Sequence, residues 1–209
     1  MEGLGLHGVP SPSKGIATRL WVAARTEFST RGYHGARVQG IARRAGCNVA
    51  LLYRHWASKR ALYLDILKSI WLGNMKQISE LLGESGGAVG IVSAYLETRL
   101  ADPEASQILI REYLDGAPFL GELVASEPSV AAPIKELAET LARGNGHALR
   151  SGVDPAMAVV TVGGLAALAA AAQEAARPFL PAPGPSPEDW KRHISDLLLY
   201  GLLGSGSRE

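Results

Sequence analysis

Apolar residues in this chain recur at steps of three or four, the spacing that places them on one face of an α-helix. The longest run begins at Ala57 or Ser58 and ends near Leu82. Six of its apolar residues share a face: Leu64, Leu67, Trp71, Met75, Ile78 and Leu82. No stretch shows the strict alternation of a half-buried strand. The pattern therefore predicts an all-α fold with about nine helices.

Glycine, proline and short polar clusters separate the predicted helices. The helices are expected over residues 16–31, 38–45, 49–56, 58–82, 88–101, 104–115, 129–151, 154–177 and 186–203. The connection at residues 116–128 can hold one helical turn, at 119–126. Pro133 is tolerable only in the first turn of its helix, because a proline further in removes a backbone hydrogen bond. Residues 1–13 are predicted to be a disordered arm and residues 205–209 a tail.

Two short helices meet at a glycine-containing turn within Val38–Trp56. Four apolar residues form the inner face of the first helix: Val38, Ile41, Ala42 and Ala45. Gly46 can end that helix in a left-handed conformation, and Asn48 stands where the next helix needs a cap. Leu52 and Trp56 lie one turn apart on the inner face of the second helix. This arrangement predicts a helix-turn-helix, whose second helix can lie in the major groove of DNA.

The residues after the turn extend this motif into a longer pattern. Residues 52–62 read LYRHWASKRAL. With the helices before it, this run resembles the signature of the TetR (tetracycline-repressor) family, approximately I-A-x-x-A-G-V-S-x-G-x-L-Y-x-H-F-x-S-K-x-x-L. The matching residues are Ile41, Ala42, Ala45, Gly46, Leu52, Tyr53, His55, Ser58, Lys59 and Leu62. Conservative replacements stand at Cys47, Asn48, Ala50 and Trp56. The resemblance covers about the first third of the chain.

The resemblance implies a three-helix DNA-binding head at residues 14–57 and a helical ligand-binding and dimerisation body at residues 58–204. It implies a bacterial, cytoplasmic transcription regulator, by default a repressor. Such a regulator binds a pseudo-palindromic operator as a homodimer and is released by a small-molecule effector, here expected to be largely apolar. No cofactor is expected. The alternative is a helical small-molecule or protein-binding module that no longer binds DNA specifically.

Contacts to DNA are expected from the head. Base readout is assigned to Val49, Ala50 and Leu51, which can meet thymine methyl groups, and to Gln39, which can pair bidentately with adenine. Phosphate contacts, largely by resemblance, are assigned to Arg37, Asn48, Tyr53, Arg54, His55 and Lys59. Arg37 also marks a departure from the family, because Ala36 and Arg37 replace the usual hydroxyl cap. Packing against the first helix stays open for Tyr53, and a purely structural role stays open for His55.

The body is expected to supply the effector cavity and the dimer interface. Candidate cavity residues are the apolar and aromatic ones on inner helical faces: Trp71, Met75, Tyr95, Tyr113, Phe119 and Leu141. Core packing is the favoured alternative for each. The last two long helices are the expected interface, with these residues: Gly164, Ala167, Trp190, Ile194, Leu197 and Gly201. The alternative is that these helices only close the core of their own subunit.

Charge is divided unevenly along the chain. Residues 1–60 contain ten lysines and arginines and two glutamates, a net charge of +8, whereas the remainder carries −7. A basic head on an acidic body fits a head that meets phosphates. The chain's five histidines and one cysteine are scattered without metal-ligand spacing, and no phosphate-binding loop is present, so an enzyme is not expected. Residues 155–173 lack charge, but they are mostly alanine and glycine, so a membrane span is rejected.

Overall fold

The computed structural model describes residues 15–82, 87–143 and 149–202, and over these it forms ten α-helices and no β-strand. The helices are α1 (Gly15–Gly35), α2 (Val38–Arg44), α3 (Val49–His55), α4 (Lys59–Leu82), α5 (Ala88–Ala101), α6 (Pro103–Leu114), α7 (Pro118–Ser126), α8 (Pro128–Arg143), α9 (Pro155–Ala176) and α10 (Pro187–Leu202). The all-α prediction is confirmed. The expected N-terminal arm and C-terminal tail lie outside the described residues.

Helices α1, α2 and α3 form the head, and their buried apolar residues belong to the same core as those of the other helices. Leu20 and Phe28 of α1 meet Ile41 of α2 and Leu52 of α3, and all four are buried. Gly32 interrupts α1 with φ of 66°, a left-handed conformation that glycine adopts without steric cost. The sequence had placed the end of this helix at the same glycine.

Helices α4 to α10 form the body, with α9 at its centre. Helix α9 packs against α5, α6 and α8, and α10 lies across α5 and α9. Small residues such as Ala166 and Ala167 on α9 are fully buried, which allows these helices to approach closely. Helix α4 has 24 residues and so spans about 36 Å. It contacts α1 at one end of the body and α5, α7 and α8 along its length.

Three predicted boundaries differ from the structure. The helix predicted over residues 129–151 ends at Arg143, and residues 149–151 are not helical. Glycine and asparagine follow Arg143 in the sequence, and neither favours a helix. The segment expected to hold one turn is a full helix, α7, because the buried carboxylate of Glu112 accepts hydrogen bonds from the backbone N–H groups of Phe119 and Leu120 at 2.7 and 2.8 Å. This cap comes from α6, so the local sequence does not reveal it. Pro133 lies in the second turn of α8, not the first, because the helix begins at Pro128.

One helix among the described residues is long and apolar enough to cross a membrane. It covers Pro155–Gln173 with a mean hydropathy of 1.9, and 39% of that stretch is buried. Length and composition alone make this a weak indication. The packing of α9 against three other helices gives it a place in the body of the protein.

Candidate nucleic-acid interface

The turn between α2 and α3 has the geometry of a helix-turn-helix. Gly46 takes φ of 64°, which reverses the chain after Ala45. The side-chain oxygen of Asn48 accepts a hydrogen bond from the N–H of Ala50 at 2.8 Å and caps α3, as the sequence predicts. At the other end, the indole N–H of Trp56 donates to Asp65 on α4 at 3.1 Å. Both ends of α3 are therefore held in place.

A buried carboxylate joins α2 to α1. Glu27 on α1 is 5% exposed and pairs with Arg31 at 3.2 Å and with Arg44 of α2 at 4.0 Å. Gly40 of α2 lies directly over it, because a Cβ atom there would be 2.9 Å from the Glu27 carboxylate. A Cβ atom at this position would displace the Glu27 carboxylate from its ion pairs, so the packing of α2 on α1 depends on this contact.

Most residues assigned to DNA contact point to solvent. On α3 and its cap these are Asn48, Ala50, Tyr53, Arg54 and His55, and on or before α2 they are Arg37 and Gln39. The side chain of Tyr53 is 50% exposed, so it is accessible to a phosphate, and partial packing against α1 remains compatible with this exposure. Arg37 caps α2 with its backbone only, since its side chain makes no capping hydrogen bond. These side chains form one polar, basic surface, hereafter the α3 surface.

Two of the expected base-reading residues are less accessible. Val49 is half-buried, and Leu51 is half-buried and packs against the core. Leu51 therefore serves the interior of the head as well as its surface. Ala50 is the exposed apolar residue of this trio.

Lys59 has a structural role that the sequence did not suggest. Its ammonium group donates to the backbone carbonyls of Tyr33 at 2.8 Å and Ala36 at 3.1 Å, and it lies 4.5 Å from the centre of the Tyr33 ring. Tyr33 lies at the end of α1, after Gly32, and Ala36 lies in the connection between α1 and α2. An ammonium has three donors, so one remains for a phosphate.

The structure adds Arg19 to the residues beside the turn. It is exposed on α1, and its guanidinium lies 3.9 Å from where a Cβ atom at Gly46 would be. Sequence reasoning counted it only in the charge of the head. Arg19 precedes the buried Leu20, so the helical pattern places it on the outer face of α1. The neighbouring sequence does not indicate that its side chain reaches the turn at Gly46.

The six candidate cavity residues have different surroundings in the body. Met75 and Leu141 are buried in the core, and Trp71 donates its indole N–H to the carbonyl of Val130 at 2.9 Å. Phe119 belongs to an aromatic cluster that joins body to head, with its ring 4.5 Å from that of Tyr33. Tyr95 and Tyr113 instead face α9, and both contribute to the electrostatics of the buried Arg99.

Helix α6 connects the body to α1 at two places. Near its start, the carboxylate of Asp102 forms an ion pair with Arg25 of α1. Near its end, Arg111 donates to the backbone carbonyls of Ser29 and Thr30 at 3.2 and 3.1 Å. The end of α1 is thus tied to α6 as well as to α4.

The expected interface residues divide into buried and exposed groups. Ala167 is fully buried in its own subunit, and Gly164, Trp190 and Ile194 are half-buried. Leu197 is 59% exposed, and Gly201 lies in the last turn of α10. Exposed apolar residues that the sequence analysis did not single out complete a surface on α9 and α10, hereafter the α9–α10 face: Met157, Val160, Leu165, Leu168 and Tyr200, with Leu197.

No group of three or more histidine, cysteine, aspartate or glutamate side chains within the described ranges could hold a metal ion. Cys47, the single cysteine, is unpaired and half-buried against the head core. Cys47 is therefore a small packing residue of the head.

Comparisons with known proteins find similarity mainly in the N-terminal part of the chain. Residues 20–66 match the model described as bacterial regulatory proteins, tetR family. The HTH-type transcriptional regulator RutR of Escherichia coli K12 is 35% identical over 101 residues, 47% of this chain and 48% of RutR. The HTH-type transcriptional activator FasR of Mycolicibacterium smegmatis is 31% identical over 122 residues, 58% of this chain and 52% of FasR. The chain spans about half the length of the curated relatives it matches.

The likeness extends to the body only as a fold. The crystal structure of FadR from Bacillus subtilis in complex with stearoyl-CoA superposes with a TM-score of 0.62, at 16% identity, over 88% of this chain and 98% of FadR. Both curated relatives are named as transcriptional regulators, which agrees with the prediction that this chain is not an enzyme.

Proposed function

We propose that this chain, whose residues 20–66 match the model of the tetR family of bacterial regulatory proteins, is a ligand-responsive transcription regulator of that kind and binds operator DNA through α3. It acts in the cytoplasm, as a homodimer, on a pseudo-palindromic operator. Repression released by a small, largely apolar effector is the proposed mode. One relative, FasR, is named as an activator, so a reporter assay with and without this chain should establish whether it represses or activates transcription.

The α3 surface is the observation that carries this proposal. Tyr53, Arg54 and His55 are exposed together, and Asn48 and Arg37 extend the same surface. A phenol, a guanidinium and an imidazole N–H all donate hydrogen bonds to phosphate oxygens. Phosphate contacts of this kind fix the register of a head on the duplex. Base identity is then read by Gln39, Ala50 and Val49 together with the shape of the DNA.

A homodimer follows from the small size of one head and from the α9–α10 face. One head contacts only a few base pairs, so two heads at two successive major grooves are needed for useful affinity. Exposed leucines at 165, 168 and 197, with Val160 and Tyr200, supply apolar area of the kind that a second subunit buries. A symmetric pair places the same face of each subunit in contact.

Release by an effector requires that the body move the head. Helices α4, α6 and α7 contact the head. Arg25 and Arg111 join α1 to α6, and the ring of Phe119 on α7 packs against Tyr33. An effector that binds better to one arrangement of these helices shifts the separation of the two heads. Effector affinity and DNA affinity are then reciprocally coupled.

A direct comparison of two DNA fragments separates this proposal from the alternative module. Fluorescence anisotropy is measured for the full chain with the fragment upstream of its own gene and with a shuffled fragment of equal composition. The regulator binds the upstream fragment at least about 1,000-fold more tightly at physiological salt. Equal, weak binding to both fragments would favour a helical module that no longer recognises DNA.

A further inference from the structure

Arg99 on α5 is a buried charge without a hydrogen-bond partner. Its side chain is among the largest that are fully buried, with a relative exposure of 1%. Neither Nε nor either Nη donates to an acceptor within the part of the chain that the structure describes. The hydroxyl of the adjacent Thr98 is buried and lacks a partner there as well. A guanidinium keeps its proton in proteins, so this position presents five unused donors.

The surroundings of Arg99 are aromatic and small. Its guanidinium carbon is 5.9 Å from the centre of the Tyr95 ring, and Tyr113 of α6 also interacts with it electrostatically. Both rings face α9. The Tyr95 ring would lie 2.9 Å from a Cβ atom at Gly163, and the Tyr113 ring 4.0 Å from one at Gly164. Arg99 therefore lies where α5, α6 and α9 meet.

None of these neighbours supplies a counter-charge. Burial is the main cause that raises the pKa of Tyr95 and of Tyr113, so both remain neutral phenols at physiological pH. Burial also lowers the pKa of Arg99, which shows how unfavourable the environment is for its charge. Asp102 attracts Arg99 at longer range, but its carboxylate is already paired with Arg25 and accepts a hydrogen bond from Ala105.

We propose that Arg99 binds the carboxylate of a monoanionic, otherwise apolar effector between α5, α6 and α9. The planar guanidinium matches a carboxylate through two parallel hydrogen bonds. A phosphate monoester fits less well, because one cation cannot balance a dianion and Asp102 adds negative charge nearby. The rings of Tyr95 and Tyr113 and the glycine-containing surface of α9 suit an apolar remainder. The inference rests on the proposed function, since it names the class of effector that the body would bind.

The position of Arg99 also gives the effector a route to the head. Asp102 follows Arg99 by three residues, at the junction of α5 and α6, and it holds Arg25 of α1. A carboxylate at Arg99 changes the electrostatic environment of Asp102 and the packing of the helix end that carries it. Both changes act on the contact that ties α6 to α1.

The test uses the full chain and a defined panel of probes. The carboxylates are hexanoate, octanoate, decanoate and phenylacetate, and each is paired with its uncharged primary amide. Affinity is measured by isothermal titration calorimetry and Tm by thermal unfolding, since a ligand that binds the folded state raises Tm. At least one carboxylate should bind and raise Tm, and its amide should bind at least about 10-fold more weakly.

Three variants assign the effect to one residue. Arg99→Met, similar in size but uncharged, should weaken binding of that carboxylate by about 100-fold or more. Arg99→Lys should retain part of the affinity. Arg143→Met, which removes an exposed arginine on α8, should match the wild type. Without ligand, Arg99→Met should have a Tm equal to or above that of the wild type, because it removes an unpaired buried charge.

Specific results would overturn the proposal. The first such result is that no carboxylate of the panel binds the wild type. The second is that Arg99→Met binds a carboxylate as tightly as the wild type does. The third is that Arg99→Met lowers the ligand-free Tm by several degrees, which would mean that the protein itself pairs the charge. Binding to the upstream DNA is measured in parallel. If the chain prefers that DNA but binds no carboxylate of the panel, only the proposed anion site is contradicted. If the chain binds a carboxylate through Arg99 but shows no DNA preference, the proposed anion site is supported and the proposed regulatory function is contradicted.

Discussion

The carboxylate of Asp102 at the start of α6 pairs with the guanidinium of Arg25 on α1, 77 residues earlier in the chain. The same carboxylate accepts the N–H of Ala105 at 3.0 Å and so caps α6. At the other end of this helix, Arg111 holds the backbone of α1 at Ser29. Helix α6 is thus fixed to α1 near both of its ends, and a displacement of α6 is passed to the head.

The first prediction concerns the stability of this contact. Asp102→Asn should lower the free energy of unfolding by about 1–3 kcal/mol, because Arg25 stays buried and keeps only its weaker ion pair, with the Glu104 carboxylate at 3.5 Å. Urea denaturation measures the change. Glu80→Gln removes one partner of an exposed ion pair with Lys76 and is the matched control, with an expected effect of about 0.5 kcal/mol or less. Equal effects of the two substitutions would show that the Arg25 contact does not stabilise the fold.

The second prediction tests the close approach of α2 to α1. Gly40→Ala should lower the free energy of unfolding by about 1–2 kcal/mol, because the new Cβ forces the buried Glu27 carboxylate to move. Operator affinity should fall with it, since the angle of α3 changes. Gly121→Ala on α7 meets no atom within 4 Å, so it should be neutral or stabilise by up to about 1 kcal/mol. A neutral Gly40→Ala would contradict the close contact.

The third prediction separates two residues of the predicted phosphate contact. Tyr53→Phe should leave the free energy of unfolding within about 0.5 kcal/mol, because the side chain is exposed, and should weaken operator binding by about 3–10-fold. Lys59→Met should lower both the free energy of unfolding and the operator affinity. The stability loss should be about 1–3 kcal/mol, because the Tyr33 and Ala36 carbonyls lose their hydrogen-bond donor. Unchanged operator affinity in Tyr53→Phe would remove that residue from the interface.

The fourth prediction addresses the α9–α10 face. Leu168→Glu and Leu197→Glu each place a charge in an apolar contact, so each should convert a dimer into a monomer and weaken operator binding. Light scattering coupled to size-exclusion chromatography measures the mass. Val124→Glu, a similar change at an exposed apolar residue on α7, should leave the mass unchanged. A wild type that is monomeric at micromolar concentration would contradict this use of the face.

The sequence predicted the features that depend on neighbouring residues. Asn48 and Ser58 cap α3 and α4 as expected, the latter by accepting the N–H of Ala61 at 3.0 Å. Asp154 likewise accepts the N–H of Met157 at 2.8 Å and starts α9. A cap and the helix that it starts lie within a few residues of each other, so the pattern is readable without a fold.

Features that depend on distant residues were not predictable. The cap of α7 comes from Glu112, and the partners of Lys59 are carbonyls more than 20 residues earlier. Arg99 appears in the sequence as one arginine among many, and only the packing of three helices buries it. Ala167 and Leu168 are neighbours on an apolar helix, yet one is buried and the other exposed. Periodicity without charge gives no sign of which face is inward.

The central claim, that the α3 surface binds operator DNA, is tested most directly by the salt dependence of binding. The equilibrium constant of the full chain for the DNA upstream of its gene is measured between 50 and 200 mM salt. Two heads that neutralise about 6–10 phosphates give a slope of log K against log salt near −5 to −9, and a strong preference for this DNA over a shuffled fragment persists. A shallow slope with no preference between the two fragments would contradict the account.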